Sequence, residues 1–190
     1  MPRIFLALNF SVAVTRKIAE EVARLHQPMS EAGFRVAWVP AANLHLTLRF
    51  IGSVEENLIE GITGACKRVA ARHAPIEARA GGVGAFPSPQ KPSVLWVGVE
   101  APPALAALQR DVEGAMVELG FDKEERAYHP HVTVGRVKEG RGSAAEVWKS
   151  EAQLGSSLLQ EIVVYESKTR SAGAEYLARA RVPLGDKEKR

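Results

Sequence analysis

Two stretches of the sequence decide the fold: NLHLTLRF at residues 43–50 and HPHVTVGR at residues 129–136. The first places Thr47 two residues after His45, and the second places Thr133 two residues after His131. Because side chains alternate across a strand, the histidine and threonine of each stretch share one face, while apolar residues occupy the other. Each stretch therefore predicts a strand with an apolar face for the core and a polar face that carries a His-x-Thr pair.

The two strands belong to an internal repeat that extends over most of the chain. In the first half, the predicted order is a strand at 3–9, a helix at 11–32, a strand at 43–50, a capping box at 53–56 that opens a helix, and a strand at 76–84. In the second half, it is a strand at 93–99, a helix from 102, a strand at 129–136, a capping box at 143–146 and a strand around 158–165. Gly33 and Gly120, which are predicted to end helices, are 87 residues apart, and His45 and His131 are 86 residues apart.

This repeat predicts the fold class. Elements that recur in the same order at a nearly constant offset predict an α+β domain over residues 1–190, built from two similar, interleaved lobes related by an approximate two-fold axis. The first repeat covers about 3–84, the second about 93–165, and a closing strand covers about 175–182. Antiparallel sheets, with about eight strands in all, are expected to line a central cleft, with the helices outside. The apolar stripe of the second helix is expected to include Leu58.

Length and composition exclude several classes of protein. A chain of 190 residues with 46% apolar residues suits one domain, and no apolar run reaches the roughly 20 residues that span a bilayer. The single cysteine, Cys66, excludes an intrachain disulfide and a thiolate zinc site, and no signal peptide is recognised, so we expect a cytoplasmic location. We also expect a monomer. The net charge of +3 permits an anionic substrate but does not predict DNA binding. Residues 186–190 are expected to fray.

Two histidines that meet across a cleft suit phosphodiester chemistry without a metal. Because an unperturbed imidazole titrates near pH 6.5, one histidine can accept a proton from water while the other donates a proton to the departing alkoxide. The hydroxyls of Thr47 and Thr133 can donate to the phosphate oxygens, and an arginine can hold the same oxygens through two N–H groups. Such a pair predicts a bell-shaped pH profile with an optimum between about pH 6 and 8.

The paired motifs, His45-Leu-Thr47-Leu and His131-Val-Thr133-Val, resemble those of the 2H phosphoesterase superfamily. The flanking sequences RIFLALNF, NLHLTLRFIGSV, GAFPSPQKPSVLWVGV and YHPHVTVGRV are similar to the RNA 2′,3′-cyclic phosphodiesterases, also called 2′-5′ RNA ligases. This resemblance covers residue 3 to about residue 182. It implies a bilobal fold that hydrolyses the 2′,3′-cyclic phosphate of an RNA 3′ end or a nucleoside to a 2′-phosphomonoester, without a metal or nucleotide cofactor. Some members also join or cleave 2′-5′ linkages in tRNA halves.

The resemblance also implies roles for individual residues. By family position, His45 is the proton donor for the leaving 3′ oxygen and His131 is the proton acceptor for water, although the pseudo-symmetry allows either order. Arg136 matches the position at which the family binds phosphate. Strict alternation puts Arg136 on the face opposite His131, so we expect Gly135 to end or bulge the strand and turn the arginine into the cleft.

Other polar and aromatic side chains are secondary candidates. Phe10 is a candidate for stacking a base, whereas Phe50 is expected to pack in the core. Alternation puts Arg49 on the same face as His45, as a solvated or phosphate-binding cation. His129 is expected at the rim of the cleft.

Two other functions stay open. A nucleotide- or RNA-binding module of the same fold would keep the cleft without turnover, which the presence of both histidines and both threonines disfavours. A metallohydrolase would use His45, His129 and His131 as ligands, but no Asp or Glu accompanies them at ligand spacing. Turnover of a nucleoside 2′,3′-cyclic phosphate and the effect of chelation separate these alternatives from the leading hypothesis.

Overall fold

The computed structural model describes residues 1–100, 102–170 and 173–185. The helices in these ranges are α1 (Val12–Glu31), α2 (Leu58–Ala70) and α3 (Pro103–Glu118). The strands are β1 (Arg3–Leu8), β2 (Arg35–Trp38), β3 (Leu46–Ser53), β4 (Ile76–Ser88), β5 (Lys91–Glu100), β6 (His131–Glu139), β7 (Gln153–Leu159), β8 (Glu161–Arg170) and β9 (Gly173–Pro183). The predicted α+β class is confirmed, with nine described strands where about eight were expected. The predicted fraying of residues 186–190 lies outside the described residues.

All nine strands form one antiparallel sheet. Its order is β7-β4-β5-β6-β3-β1-β8-β9, and β2 pairs with β6 outside this path. A two-fold axis between β6 and β3 would relate strands at equal distances on either side of it. These pairs are β6 and β3, β5 and β1, β4 and β8, and β7 and β9. The strands that the repeat made equivalent therefore take equivalent places, which confirms the pseudo-two-fold arrangement, although the two halves share a continuous sheet. The boundaries of the two repeats stay predictions.

The three helices pack on one face of this sheet. Helix α1 contacts β7 and β2, whereas α2 and α3 contact each other and the half that contains β3, β8 and β9. Strand residues that point towards the helices are fully buried, among them Leu6, Leu46, Leu95 and Val132. We call this the helix face, and the opposite face is left for the cleft, as predicted. No helix in the described part of the chain is long and apolar enough to cross a membrane.

Helices α1 and α3 end in the same way. Gly33 has a φ of +82° and Gly120 a φ of +91°, a left-handed conformation that side chains disfavour. The next residue of each turn donates its N–H to a carbonyl of the last helical turn, Phe34 to Met29 at 3.0 Å and Phe121 to Met116 at 3.1 Å. Both predicted helix ends are confirmed.

Neither predicted capping box opens a helix. Ser53 is the last residue of β3, paired with Arg3, so α2 begins only at Leu58 and that side chain is exposed rather than buried. Residues 143–150 contain only a short turn at residues 145–147, and contacts with the β4–β5 hairpin hold the segment. The N–H of Ala144 donates to the carbonyl of Pro89, and the buried Trp148 donates from Nε1 to the carbonyl of Gly84.

Two further expectations about strands need correction. No strand was predicted between the first helix and the first histidine strand, but this stretch contains the short strand β2, which is held by its pairing with β6. The strand expected around residues 158–165 is two strands, β7 and β8, which break at Gln160 and pair with different neighbours. Sequence patterns of this length do not separate one bent strand from two, because the break depends on the pairing partners.

Candidate active site

The two motif strands meet at the centre of the sheet. Strands β3 and β6 are joined through a single antiparallel residue pair, Leu46 with Val132. Both residues are fully buried on the helix face, so their neighbours along each strand point to the opposite face. One residue further along in each direction, this register places His45 opposite Thr133 and Thr47 opposite His131. We call this surface the histidine face, and it carries His45, Thr47, His131 and Thr133.

A backbone carbonyl two residues earlier orients each imidazole. Nδ1 of His45 lies 2.7 Å from the carbonyl oxygen of Asn43, and Nδ1 of His131 lies 2.5 Å from that of His129. A carbonyl oxygen only accepts hydrogen bonds, so Nδ1 carries the proton in both rings. Nε2 is therefore the atom that gains and loses a proton in each histidine. Either ring can act as base when neutral and as acid when protonated.

Aromatic rings surround both histidines. The ring of Phe5 lies 4.8 Å from that of His45, with Tyr176 at 5.3 Å. On the other side, Phe86 lies 5.0 Å from His131 in an edge-to-face arrangement. These rings remove water from the imidazoles, which disfavours the charged form.

The pKa values of both histidines are lowered. For His45, loss of solvation is the largest cause, and a positive charge on His131 lowers the pKa further. For His131, loss of solvation is again the largest cause, followed by the charges of His129 and Arg136, whereas the bond to a carbonyl opposes the shift. Both imidazoles are thus predominantly neutral at pH 7 when the site is empty.

Arg136 lies on the histidine face because β6 has a bulge. Strand β5 pairs with β6 through Thr133 and then Gly135, so Val134 has no partner and the alternation of side chains shifts by one residue. The charge of Arg136 is close enough to His131 to help lower its pKa. At Tyr176, burial raises the pKa, and the charge of Arg136 opposes part of that rise. The predicted bulge is therefore present, and it turns the arginine towards the cleft.

The equivalent bulge in β3 has the opposite consequence for Arg49. Strand β1 pairs with β3 through Thr47 and then Arg49, so Leu48 is the extra residue. Arg49 consequently points to the helix face, where it is 9% exposed and its Nε lies 3.2 Å from a carboxylate oxygen of Glu113 in α3. The expectation that Arg49 shares a face with His45 is wrong.

The burial of Phe10 and Phe50 is the reverse of what the sequence predicted. Phe10 is 8% exposed and belongs to the hydrophobic core, so little of its ring is open to a base. Phe50 follows the bulge in β3, opposite Phe5, and is 62% exposed on the histidine face. The pseudo-symmetry makes Phe50 the counterpart of Arg136, since both lie five residues after a motif histidine. That shared position was the sequence feature that could have identified Phe50.

A cavity of about 260 Å³ opens beside His45. Among the residues that line it are Asn9, Asn43, Tyr165 and Tyr176. The side-chain amide of Asn9 donates to the hydroxyl of Tyr165 at 2.8 Å, which fixes one wall. The cavity therefore adds amide and phenol groups to the histidine side of the cleft, none of which the sequence motifs identified.

Tyr128 ties the two motifs together. Its hydroxyl donates to the carbonyl oxygen of Thr47 at 3.1 Å, although the tyrosine lies three residues before His131. Burial raises the pKa of this phenol, which keeps the hydroxyl protonated and able to donate. Because a single residue pair joins β3 to β6, this bond is a second link across the centre of the site.

The described residues offer no ready metal site. Among them, no group of three or more His, Cys, Asp or Glu side chains is placed to hold an ion. Cys66 is buried in α2, where loss of solvation raises its pKa to about 12. The metallohydrolase alternative therefore has no ligand cluster in this part of the chain, and the chelation test below addresses it directly.

The model of the 2′-5′ RNA ligase superfamily matches residues 14–168, a span that contains both His-x-Thr strands. The chain belongs to this superfamily. It is 33% identical over 178 residues to the RNA 2′,3′-cyclic phosphodiesterase of Methanothermobacter thermautotrophicus, which covers 92% of this chain and 94% of the relative. It is also 37% identical over 127 residues to the protein of the same name from Aeropyrum pernix, with 66% and 71% of the two chains covered.

Solved structures of similar proteins confirm the 2H fold of this superfamily member. A protein of Thermus thermophilus superposes with a TM-score of 0.82 at 23% identity, covering 96% of this chain and 98% of that one. E. coli LigT complexed with 3′-AMP superposes with a TM-score of 0.79 at 23% identity over the same shares. At this identity the likeness concerns the fold.

Proposed function

We propose that this protein hydrolyses the 2′,3′-cyclic phosphate at an RNA 3′ end to a 2′-phosphomonoester. The observation that carries the proposal is the pair of imidazoles on one face, His45 and His131, each with Nδ1 bonded to a carbonyl and Nε2 left for proton transfer. The superfamily membership and the relatives that carry the name RNA 2′,3′-cyclic phosphodiesterase support the same reaction.

The proposed reaction needs one proton acceptor and one proton donor. Water attacks the phosphorus, and Nε2 of neutral His131 takes its proton. The bond from phosphorus to the 3′ oxygen breaks, and Nε2 of protonated His45 gives a proton to that oxygen. The 2′ oxygen keeps the phosphate, so the product is a 2′-phosphomonoester. The symmetric orientation of the two rings permits the exchanged assignment as well.

The remaining polar groups of the histidine face stabilise the phosphate in this proposal. Thr47 and Thr133 donate hydroxyl hydrogen bonds to the non-bridging oxygens, where negative charge accumulates in the transition state. Arg136 adds a permanent positive charge within reach of the His131 side. Phe50, as the exposed aromatic ring on this face, offers a stacking surface for the base in place of Phe10.

The direct test is turnover of the four nucleoside 2′,3′-cyclic phosphates, with the product separated into 2′ and 3′ isomers. We expect the 2′-phosphate with every base and unchanged rates in EDTA, because the proposed proton transfers and charge stabilisation use side chains alone. The His45→Ala/His131→Ala double variant is the blank. Absence of turnover would favour a binding module, and loss in EDTA that zinc restores would favour a metallohydrolase.

The lowered histidine pKa values predict an acidic optimum for kcat/KM. This constant reports the free enzyme. Because both histidine pKa values lie below the ordinary 6.5, the proton donor has already lost its proton at pH 6.5. We therefore expect kcat/KM to peak below pH 6.5 and to fall above it. The sequence alone predicted an optimum between about pH 6 and 8. The negative charge of bound substrate favours the protonated imidazole, so the optimum of kcat should lie at higher pH.

Rates measured from pH 4.5 to 10 over a range of substrate concentrations test this order of optima. The limbs belong to the coupled pair and not to one histidine. His131→Ala should remove the acidic limb and His45→Ala the alkaline limb, and the reverse pattern would exchange their roles. A kcat/KM that still climbs at pH 10 contradicts catalysis by the pair.

A further inference from the structure

A second cavity, which we call the α2–β9 cavity, lies where the edge strand β9 meets α2. Its volume is about 440 Å³, and its walls include Gly64, Lys67 and Arg68 of α2, Ala71 directly after that helix, and Arg181 of β9. Lys67, Arg68 and Ala71 follow Gly64 by three, four and seven residues, and Ala71 keeps helical backbone angles, so the four residues form one stripe of the helix and its end. Gly64 and Ala71 have little or no side chain, so they leave the cavity open beside Lys67 and Arg68.

The charge of the α2–β9 cavity is positive. Lys67 and Arg68 are exposed, and no carboxylate of the described residues lies within ion-pair distance of either side chain. Arg181 is paired with Glu161 and is 55% exposed, so its charge is partly compensated. Two cations that have no carboxylate partner among the described residues, beside an open cavity, suit an anion with several oxygens, such as a phosphate group.

Arg181 connects this cavity to the active site. Thr47 pairs with Ala7, Ala7 with Val163, and Val163 with Arg181. Opposed residues of an antiparallel sheet share a face, so Arg181 lies on the histidine face. It also lines the cavity beside His45. Three strand spacings separate Arg181 from Thr47, about 14 Å between their α-carbons, so the two residues suit different phosphates of one strand.

We propose that Lys67, Arg68 and Arg181 bind backbone phosphates of an RNA strand whose 3′-terminal nucleotide occupies the site at His45 and His131. This inference rests on the proposed function and adds to it a binding site for the part of the RNA strand that precedes the reacting nucleotide. The strand continues from the 5′ oxygen of the terminal nucleotide and so brings further phosphates to the path past Arg181. A nucleoside 2′,3′-cyclic phosphate has no phosphate to place there.

The test compares two substrates with the same 3′-terminal cyclic phosphate, an RNA of about ten nucleotides and the free nucleoside 2′,3′-cyclic phosphate. In Lys67→Ala/Arg68→Ala, kcat/KM for the RNA should fall on the order of tenfold, while that for the mononucleotide should stay unchanged. The dependence of log(kcat/KM) on log salt should become shallower by about 1.4 for the RNA, since each lost contact removes about 0.7 for a single strand.

The matched control is Arg24→Ala/Lys149→Ala, which removes two positive charges from residues that line neither cavity. Equal loss with this control would mean that net charge alone matters, and loss on both substrates would mean that the cations serve the reacting phosphate. Either result overturns the proposal, as does an unchanged rate with RNA. Binding of an RNA that ends in a 2′-phosphate needs no turnover, so the same comparison by equilibrium titration separates failure of this path from failure of the proposed function.

Discussion

Replacing either His45 or His131 with alanine is expected to lower kcat for a nucleoside 2′,3′-cyclic phosphate by about 10²–10⁴-fold. Each change removes one of the two Nε2 atoms that move protons in the reaction, and a positioned acid or base contributes about that much. The double variant should lose less than the product of the two single effects, because the two groups act as a unit. Steady-state kinetics at the optimum pH provide the measurement.

His26→Ala is the matched control for these variants. His26 stacks on Trp38 with ring centroids 4.0 Å apart, away from the two motif histidines, so its removal should leave kcat close to that of the parent protein. Thermal unfolding of every variant separates lost chemistry from lost structure. A rate like that of the parent protein in either motif variant, with the fold intact, would refute the proposed proton transfers.

Thr133→Val is expected to lower kcat/KM by about 10²–10³-fold, the effect of about 2.7–4 kcal/mol typical of one donor aimed at a developing negative charge. Valine keeps the shape of the side chain, so the change isolates the hydroxyl. Because this donor acts on the phosphate, all four nucleoside 2′,3′-cyclic phosphates should slow to the same extent. The comparison of kcat/KM across the four bases is therefore the measurement.

Thr63→Val provides a control for the threonine variant. The hydroxyl of Thr63 donates to the carbonyl of Ile59 at 2.8 Å inside α2, so its loss should change stability slightly and leave kcat/KM unaltered. If Thr133→Val slowed only one nucleoside, the hydroxyl would be reading the base, and the assignment of this threonine to the phosphate would be wrong.

The central part of the site could be predicted because it depends on local rules. Strand alternation puts each histidine two residues from its threonine on one face, and the repeat predicts that two such faces are related by symmetry. The pairing of Leu46 with Val132 is the only additional step, and it brings the two faces together. Local rules also explain why α1 and α3 end at Gly33 and Gly120, because each end needs a left-handed backbone conformation that glycine adopts readily.

The two arginines show where alternation stops being sufficient. Arg49 and Gly135 occupy equivalent places immediately after a bulge, and the place of a bulge depends on how a strand pairs with its neighbour. Both bulges reverse the side on which the following residues lie. Arg136 consequently enters the cleft, whereas Arg49 is buried against Glu113 of α3, a partner that no local pattern identifies.

The sequence by itself determined the α+β class, the repeat, the helix ends and the two His-x-Thr pairs, because each follows from the backbone preferences or the spacing of neighbouring residues. Only the tertiary structure decided that Phe10 is buried and Phe50 exposed, and that the Tyr128 hydroxyl bonds to the carbonyl of Thr47. It also decided that Arg181 lies on the same face of the sheet as Thr47, in register with it across three strand pairings. These outcomes depend on strand order, bulges and packing between residues far apart in the chain, and so they arise when the sheet assembles.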